Sequence, residues 1–156
     1  MLSSCNRLLE LFGKQGDVAV ELQGVLLALN AMAANTAPKR NRRREARIEQ
    51  EVVVDAYTSE ERAMGWYYYL QERLRFPFSA TCSKRRATSP FKIGESLSIT
   101  RLAPEDDCMS EIIVLTHWHG RALGIPLAQL QPRNLDAATK EAIEDWHYWV
   151  GMGYQY

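Results

Sequence analysis

The chain has few cysteines, and they form no recognisable pattern. Its three cysteines, Cys5, Cys82 and Cys108, are an odd number without C-x-x-C spacing. Disulfide-stapled secreted domains and structural zinc ribbons both need paired cysteines at regular spacing. The sequence therefore indicates neither of them, and a reducing compartment fits it best.

Long apolar runs are also missing. The longest run covers residues 25–29, whereas a helix that spans a bilayer needs about 20 apolar residues. Charges at Glu10, Asp17 and Glu21 interrupt the region where the apolar part of a signal peptide would lie. We therefore expect no transmembrane helix, no signal peptide and no membrane partner, and we expect the protein in the cytoplasm.

The common catalytic motifs are absent as well. The sequence contains no G-x-x-x-x-G-K-S/T, no G-x-G-x-x-G, no H-E-x-x-H and no G-x-S-x-G. These patterns mark phosphate-binding loops, dinucleotide sites, zinc proteases and serine hydrolases. Their absence favours a binding protein over an enzyme.

Charge is balanced overall but uneven along the chain. Residues 1–50 hold eight basic and five acidic side chains, against eleven basic and fourteen acidic ones in residues 51–156. Six of the basic side chains crowd into residues 39–47, with the sequence KRNRRREAR. Such a segment is typical of a solvated linker or of an arm that attracts anions. At 156 residues the chain is long enough for one domain with a real core.

The N-terminal region is predicted to be helical. Residues 1–12 and 17–34 have helical character, because Val18, Leu22 and Val25 recur at helical steps. These helices could dock on the domain or mediate self-association with a second copy of the chain. We divide the chain into a helical extension with a basic linker, residues 1–44, and an α+β domain, residues 45–156.

Helical patterns continue into the domain. Ile48, Val52 and Ala56 mark one face of a short helix, although the valines at 52–54 also fit a strand. Thr58 and Glu61 form a capping-box pattern, which predicts a helix over residues 59–74. The apolar face of this helix contains Ala63, Trp66, Tyr67, Leu70 and Leu74.

Strand patterns follow from residue 78. Short β-rich stretches bounded by glycine or proline cover residues 78–83, 93–102, 112–118 and 121–126. His119 and Gly120 predict a tight hairpin between the last two. A final helix is predicted from Asp136 to about Val150. The fold class is therefore α+β, with a small SH3-like curved sheet or barrel of four to five strands flanked by N- and C-terminal helices.

Two kinds of side chain offer alternative binding chemistry. His117 and His119 lie two apart, so they could chelate a transition metal if one strand carries both, or they could be ordinary polar residues beside a turn. His147 is interpreted as a packed or surface histidine. Trp66 and the tyrosines at 67–69 could stack on nucleic-acid bases, but their helical spacing favours core packing.

An acidic run lies between two predicted strands. Glu105, Asp106 and Asp107 are followed by Glu111 in a loop. Hard cations such as Ca²⁺ take six to eight oxygen ligands, which such loops can supply. No D-x-D/N-x-D/N-G-x₅-E pattern occurs, so this is not an EF-hand. The alternative interpretation is a solvated turn.

Six segments together resemble a known family. They are MGWYYYL (64–70), RFPFSATC (75–82), TSPFKIGE (88–95), LAPEDDC (102–108), IPLAQLQP (125–132) and EDWHYWV (144–150). In this order they resemble the small non-EF-hand calcium-binding proteins of the CcbP type, described from cyanobacteria. The resemblance covers about residues 45–156. It implies Ca²⁺ binding by acidic side chains on a compact α+β domain, a role in calcium buffering or signalling, and no enzymatic activity.

The resemblance also implies candidate ligands. They lie in the acidic loop, at the start of the helix over residues 59–74 and in the last segment: Glu105, Asp106, Asp107, Asp55, Glu60, Glu61, Asp136, Glu144 and Asp145. Glu111 joins them from the loop. The alternative function is an SH3-like interaction module that binds a protein or, less expected, nucleic acid through residues 39–47. Phosphate contacts would make that binding fall steeply with salt.

Overall fold

The computed structural model describes residues 38–156, and the helices predicted at 1–12 and 17–34 lie outside these residues. The described part is an α+β unit with one five-stranded antiparallel sheet in the order β4-β3-β2-β1-β5. Its helices are α1 (Arg42–Arg47), α2 (Ser59–Arg73) and α3 (Ala137–Gly151). Its strands are β1 (Phe78–Cys82), β2 (Ser96–Leu102), β3 (Ile113–Trp118), β4 (Arg121–Pro126) and β5 (Leu130–Arg133).

The first described helix lies within the basic segment. The Asn41 side chain caps α1 by accepting a hydrogen bond from the Arg44 backbone N–H at 3.1 Å. The chain then continues as a π-helical turn, Ile48–Val52, whose Ile48 and Val52 are buried. The ambiguity at residues 52–54 is thus resolved for Val52 in favour of a helical turn, and Val53 and Val54 follow it as a bend and a turn. A Cβ at Gly65 would lie 2.1 Å from the Val52 carbonyl oxygen, so glycine lets α2 approach this turn.

The capping box of α2 is confirmed. Thr58 Oγ1 accepts a hydrogen bond from the Glu61 N–H at 3.1 Å, and Glu61 accepts one from the Thr58 N–H at 2.9 Å. All five residues of the predicted apolar face are buried. Tyr69, which does not belong to the predicted apolar face, is also buried. The aromatic string is therefore mainly core, and Tyr68 alone of residues 66–69 is exposed.

The predicted strands are confirmed with small shifts at their ends. Leu97 and Ile99 are buried while Ser96 and Ser98 are exposed, as the alternation predicts. His119 and Gly120 have φ values of 47° and 75°, the left-handed backbone that a tight hairpin turn requires. The fifth strand, Leu130–Arg133, was not located in the sequence. It contains Pro132, and it pairs with β1 alone, at an edge of the sheet where proline is tolerated.

The last helix starts where predicted and packs on α2. Asp136 caps α3 by accepting hydrogen bonds from the Ala138 and Thr139 N–H groups. Trp146 of α3 meets Trp66 of α2 edge to face, with ring centroids 5.1 Å apart. The sheet is open, since within residues 38–156 no pairing joins β4 to β5. No helix in this part of the chain is long and apolar enough to cross a membrane.

Candidate metal centre

The acidic run forms a single turn held firmly against the core. Residues Glu105–Cys108 make a 3₁₀ turn between β2 and β3. A backbone hydrogen bond from the Ala103 N–H to the Ile113 carbonyl, 2.9 Å, closes the base of the loop. Ala103, Cys108 and Ile112 are each at most 1% exposed, so they anchor the loop on both sides of the turn. We call residues 105–107 the acidic turn.

Two of the three residues of the acidic turn are exposed, and Glu105 is half-buried. Glu105 Oε2 accepts a hydrogen bond from the Tyr68 hydroxyl at 3.0 Å, and this bond raises the pKa of Tyr68. Asp106 and Asp107 are exposed, and within residues 38–156 their side chains have no hydrogen-bond or ion-pair partner. The turn therefore presents three adjacent carboxylates, one of which is oriented by a phenol.

Two other candidate ligands cap helices. Besides its capping-box bond, Glu61 accepts a hydrogen bond from the Tyr57 N–H at 2.7 Å, and bonds to these backbone groups lower the pKa of its carboxyl. Asp136 receives hydrogen bonds from Thr139 and Ala138, which lower its pKa as well. Both carboxylates already satisfy helix-end N–H groups that would otherwise lack partners. Binding an ion would compete with these bonds.

Asp145 and Glu144 meet the arginines of α1. Asp145 is 0% exposed, and its two oxygens accept hydrogen bonds from Arg47 at 2.7 and 2.8 Å. Oδ2 also accepts one from the Tyr69 hydroxyl at 2.8 Å. Arg44 Nε lies 3.0 Å from Oδ1, but its N–H does not point at that oxygen, so this contact is an ion pair only. Glu144 accepts a hydrogen bond from Arg44 at 3.0 Å.

This cluster also raises the pKa values of two of its members. Hydrogen bonding to Asp145 raises the pKa of Arg47, and burial together with the bond to Asp145 raises the pKa of Tyr69. Arginine therefore stays charged and tyrosine stays protonated beside a buried carboxylate. Asp145 serves here as the partner of two cations and a phenol, a role that sequence patterns did not reveal.

The remaining candidates are scattered. Glu111 forms an ion pair with Arg86, with both carboxylate oxygens 2.8 Å from one guanidinium nitrogen. Asp55 is exposed in the left-handed region, with φ of 55°, and Glu60 is exposed in the first turn of α2. Within residues 38–156 neither side chain has a hydrogen-bond or ion-pair partner. Among the described residues, the acidic turn is thus the one element that carries three candidates side by side, whereas α2 and α3 each carry two adjacent ones.

Comparison with known proteins identifies the family of this chain. The CcbP family model, described as "Calcium binding", matches residues 46–150. The chain belongs to the CcbP calcium-binding family. A structure described as the crystal structure of Anabaena CcbP is 36% identical, with a TM-score of 0.69, and the match covers 78% of this chain and 99% of that one.

A second solved structure has the same identity. It is described as a calcium-binding protein in the calcium-binding form, and it is also 36% identical, with a TM-score of 0.67. That match covers 75% of this chain and 96% of the neighbour. A search among curated proteins gives no match.

The donor chemistry of this CcbP-type domain fits Ca²⁺, but its candidate ligands are not assembled into a group. Carboxylates, loop carbonyls and water are the oxygen ligands that Ca²⁺ takes. Within residues 38–156, however, no three side chains of histidine, cysteine, aspartate or glutamate are grouped closely enough to hold an ion. Any set of these side chains would therefore have to reorient to coordinate an ion.

The histidines lie apart from the acidic turn. His117 is exposed on β3, whereas His119 belongs to the hairpin turn, so they do not follow one another on a single strand. They are not part of a metal-binding group among the described residues. The packed interpretation of His147 agrees with its position, since its Nε2 lies 3.1 Å from the Leu127 carbonyl oxygen.

Several arginines of the basic segment form ion pairs with other residues of the CcbP-type domain. Arg40 pairs with Glu45 at 2.9 Å, and Arg44 and Arg47 contact α3 as described. The segment from Arg42 to Arg47 is thus a short helix that pairs with α3 through Arg44 and Arg47, although none of its residues is buried. The start of the α+β domain at residue 45 stays a prediction. Asn41 and Arg44, which precede it, contact α3. The Asn41 N–H donates a hydrogen bond to the Tyr148 hydroxyl at 3.0 Å.

His147 should make stability depend on pH. Burial lowers its pKa from the usual 6.5, and Lys84 adds to the effect while the Leu127 carbonyl and Glu144 oppose it. The unfolded chain therefore takes up a proton before the folded one does. We expect the free energy of unfolding to fall as pH drops below about 6.5, down to the lowered pKa of the folded state.

Urea titrations at several pH values measure this effect in the parent and in His147→Gln. The free energy of unfolding should depend less on pH in the variant. An equal pH dependence of the unfolding free energy in both proteins would refute the prediction. The control His117→Gln, which changes an exposed residue, should keep the pH dependence of the parent.

Proposed function

We propose that this protein binds Ca²⁺ at the acidic turn. The observation that carries the proposal is that the turn places three carboxylates side by side, two of them exposed and without partners among residues 38–156, whereas five other candidates have structural partners. Those five are Glu61, Asp136, Glu144, Asp145 and Glu111. Membership of a calcium-binding family and similarity to a structure described as a calcium-binding form support the identity of the ion.

Each residue of the turn has a separate task in this proposal. Glu105 uses Oε2 to accept the Tyr68 hydroxyl, which leaves Oε1 to bind the ion. Asp106 and Asp107 supply carboxylates without competing partners, and loop carbonyls and water complete the ligand set. Asp55 and Glu60 stay predicted ligands from neighbouring segments. We expect weak binding, with a dissociation constant on the order of 10⁻⁴ M. The turn offers few charges, its side chains must reorient, and the chain has zero net charge to attract a cation.

Anchoring of the loop supports a buffering role over a signalling one. Calcium sensors expose a new surface when the ion binds, whereas buffers hardly change shape. The acidic turn is closed at its base and fixed by the buried Ala103, Cys108 and Ile112. Binding would therefore rearrange exposed side chains and leave the sheet and helices in place. We also propose that the sheet is curved in an SH3-like manner, since its five strands follow the order β4-β3-β2-β1-β5 with a 3₁₀ turn just before β5.

Removing the charges of the acidic turn tests the proposal. The combined replacements Glu105→Gln, Asp106→Asn and Asp107→Asn keep side-chain volume nearly constant and remove three negative charges. We expect calorimetric titration to show Ca²⁺ affinity reduced at least tenfold, about 1.4 kcal/mol.

A charge-matched variant serves as the control. Glu49→Gln, Glu51→Gln and Glu72→Gln remove the same charge from exposed positions on other elements. This variant should bind Ca²⁺ within about twofold of the parent, because exposed charges that do not coordinate the ion are screened by salt. Equal losses in the two variants, or none in the acidic-turn variant, would reject the site. Zn²⁺ titration of the parent checks the histidine alternative.

A further inference from the structure

Two neighbouring tyrosines of α2 contact the loop that carries the acidic turn. The Tyr67 hydroxyl donates a hydrogen bond to the Ala103 carbonyl oxygen at 3.3 Å, at the base of the loop. The Tyr68 hydroxyl donates one to Glu105 Oε2 at 3.0 Å, within the acidic turn. The two rings meet edge to face with centroids 5.6 Å apart, so the buried Tyr67 supports the half-exposed Tyr68. The position of Tyr68 relative to Glu105 is therefore held by packing as well as by a hydrogen bond.

This hydrogen bond occupies one oxygen of a carboxylate in the proposed Ca²⁺ site. A phenol donates only while it keeps its proton, and the bond to Glu105 raises the pKa of Tyr68. The hydroxyl therefore stays protonated at neutral pH, and Glu105 Oε2 stays engaged. Glu105 can offer Oε1 to an ion, but it cannot offer both oxygens without losing the bond to Tyr68.

The number of oxygens that a carboxylate offers affects Ca²⁺ and Mg²⁺ differently. Ca²⁺ accepts about six to eight ligands and takes a carboxylate through one oxygen or through both. Mg²⁺ requires a nearly ideal octahedron with ligands at about 2.0–2.1 Å and keeps several of its waters, so it gains little from a second carboxylate oxygen. A bond that limits a glutamate to one oxygen therefore removes an advantage of Ca²⁺ and leaves Mg²⁺ binding almost unaffected.

We propose that Tyr68 sets the ion selectivity of the acidic turn by keeping Glu105 a one-oxygen ligand. This inference rests on the proposed Ca²⁺ site. Tyr68 does not coordinate the ion in this arrangement; it is a positioning residue that acts through Glu105. With its hydroxyl in place, the site distinguishes Ca²⁺ from Mg²⁺ less well than a site in which Glu105 uses both oxygens. Since the phenol is neutral, its effect on selectivity does not depend on the charge of the turn.

Removing the hydroxyl alone tests this inference on the full chain. Tyr68→Phe keeps the ring that packs on Tyr67 and frees Glu105 Oε2. Titrations with Ca²⁺ and with Mg²⁺, followed by the ¹H–¹⁵N shifts of residues 105–107, give the two dissociation constants. We expect the preference for Ca²⁺ over Mg²⁺ to rise at least about threefold in the variant. If Tyr68 only orients Glu105, both affinities change alike; an unchanged preference would therefore overturn the inference.

Two further variants show whether the effect passes through Glu105. A glutamine side chain has a single carbonyl oxygen, so Glu105→Gln cannot bind an ion through two oxygens. Adding Tyr68→Phe to Glu105→Gln should therefore leave the preference for Ca²⁺ as it is in Glu105→Gln alone. The control Tyr57→Phe should keep the parent preference, because Tyr57 is 82% exposed and its hydroxyl has no hydrogen-bond partner among the described residues. A rise in either protein equal to that in Tyr68→Phe would overturn the inference.

The same titrations separate this inference from the proposed function. If the preference for Ca²⁺ is unchanged in Tyr68→Phe while the acidic-turn variant loses Ca²⁺ affinity, the Ca²⁺ site stands and the role assigned to Tyr68 is wrong. If the acidic-turn variant binds Ca²⁺ like the parent, the proposed site is wrong, and the role of Tyr68 is rejected with it. A rise in Tyr68→Phe that disappears in the Glu105→Gln background is the result that the inference predicts.

Discussion

Asp145→Asn should destabilise the protein by about 3 kcal/mol. The change removes one buried charge and leaves Arg47 and Arg44, whose side chains are only 16% and 22% exposed, beside a neutral amide. Breaking a buried ion pair by removing one partner costs about 3–5 kcal/mol. The partial exposure of both arginines places the expected loss at the lower end. Urea unfolding at neutral pH measures it.

Glu144→Gln is the matched control for this prediction. Glu144 is the neighbour of Asp145, pairs with the same Arg44 and is 45% exposed. Ion pairs that water can reach contribute about 0–1 kcal/mol, so this variant should stay close to the parent. If Asp145→Asn is equally mild and lowers Ca²⁺ affinity instead, Asp145 is a ligand rather than a structural partner.

Trp66→Ala should cost about 3–5 kcal/mol of stability. Trp66 is 0% exposed, and its ring meets Tyr69, Trp146 and Trp149 with centroids 5.1 to 5.8 Å apart. Truncation to alanine leaves a cavity where α2 and α3 pack. Thermal or urea melting should show a large loss in midpoint.

Tyr68→Ala provides the comparison on the same helix. Tyr68 is 50% exposed and its hydroxyl bonds only to Glu105 among the described residues. Its removal should change stability by less than about 1 kcal/mol. A Trp66→Ala protein that melts like the parent would show that the ring is not part of the core.

Local signals made much of the fold predictable. The capping box of Thr58 and Glu61, the cap at Asp136 and the turn at His119 and Gly120 each depend on residues close in sequence. Their chemistry determines backbone geometry without reference to the rest of the chain. These elements appear where the sequence predicts them. β5 was harder to locate because Pro132 interrupts a short edge strand.

Contacts between distant residues were not predictable. Arg47 and Asp145 are 98 positions apart, and nothing in the basic segment or in the last helix indicates their pairing. The same contact joins a short helix of the predicted linker to α3 and engages a predicted calcium ligand. The burial of Tyr69 also involves a distant residue, since its hydroxyl donates a hydrogen bond to Asp145, 76 positions away. Family resemblance identified acidic positions, but only tertiary structure separates exposed carboxylates from those with partners.

A Ca²⁺ titration followed by ¹H–¹⁵N spectra of the full chain tests the central claim most directly. We predict saturable shifts that are largest for the amides of residues 103–111 and of Tyr67 and Tyr68, with the sheet and α3 nearly unchanged. Such a pattern would place the ion at the acidic turn and agree with a buffer that keeps its shape. Largest shifts around Asp136, Glu144 and Asp145, or no saturable shift at millimolar Ca²⁺, would contradict the account.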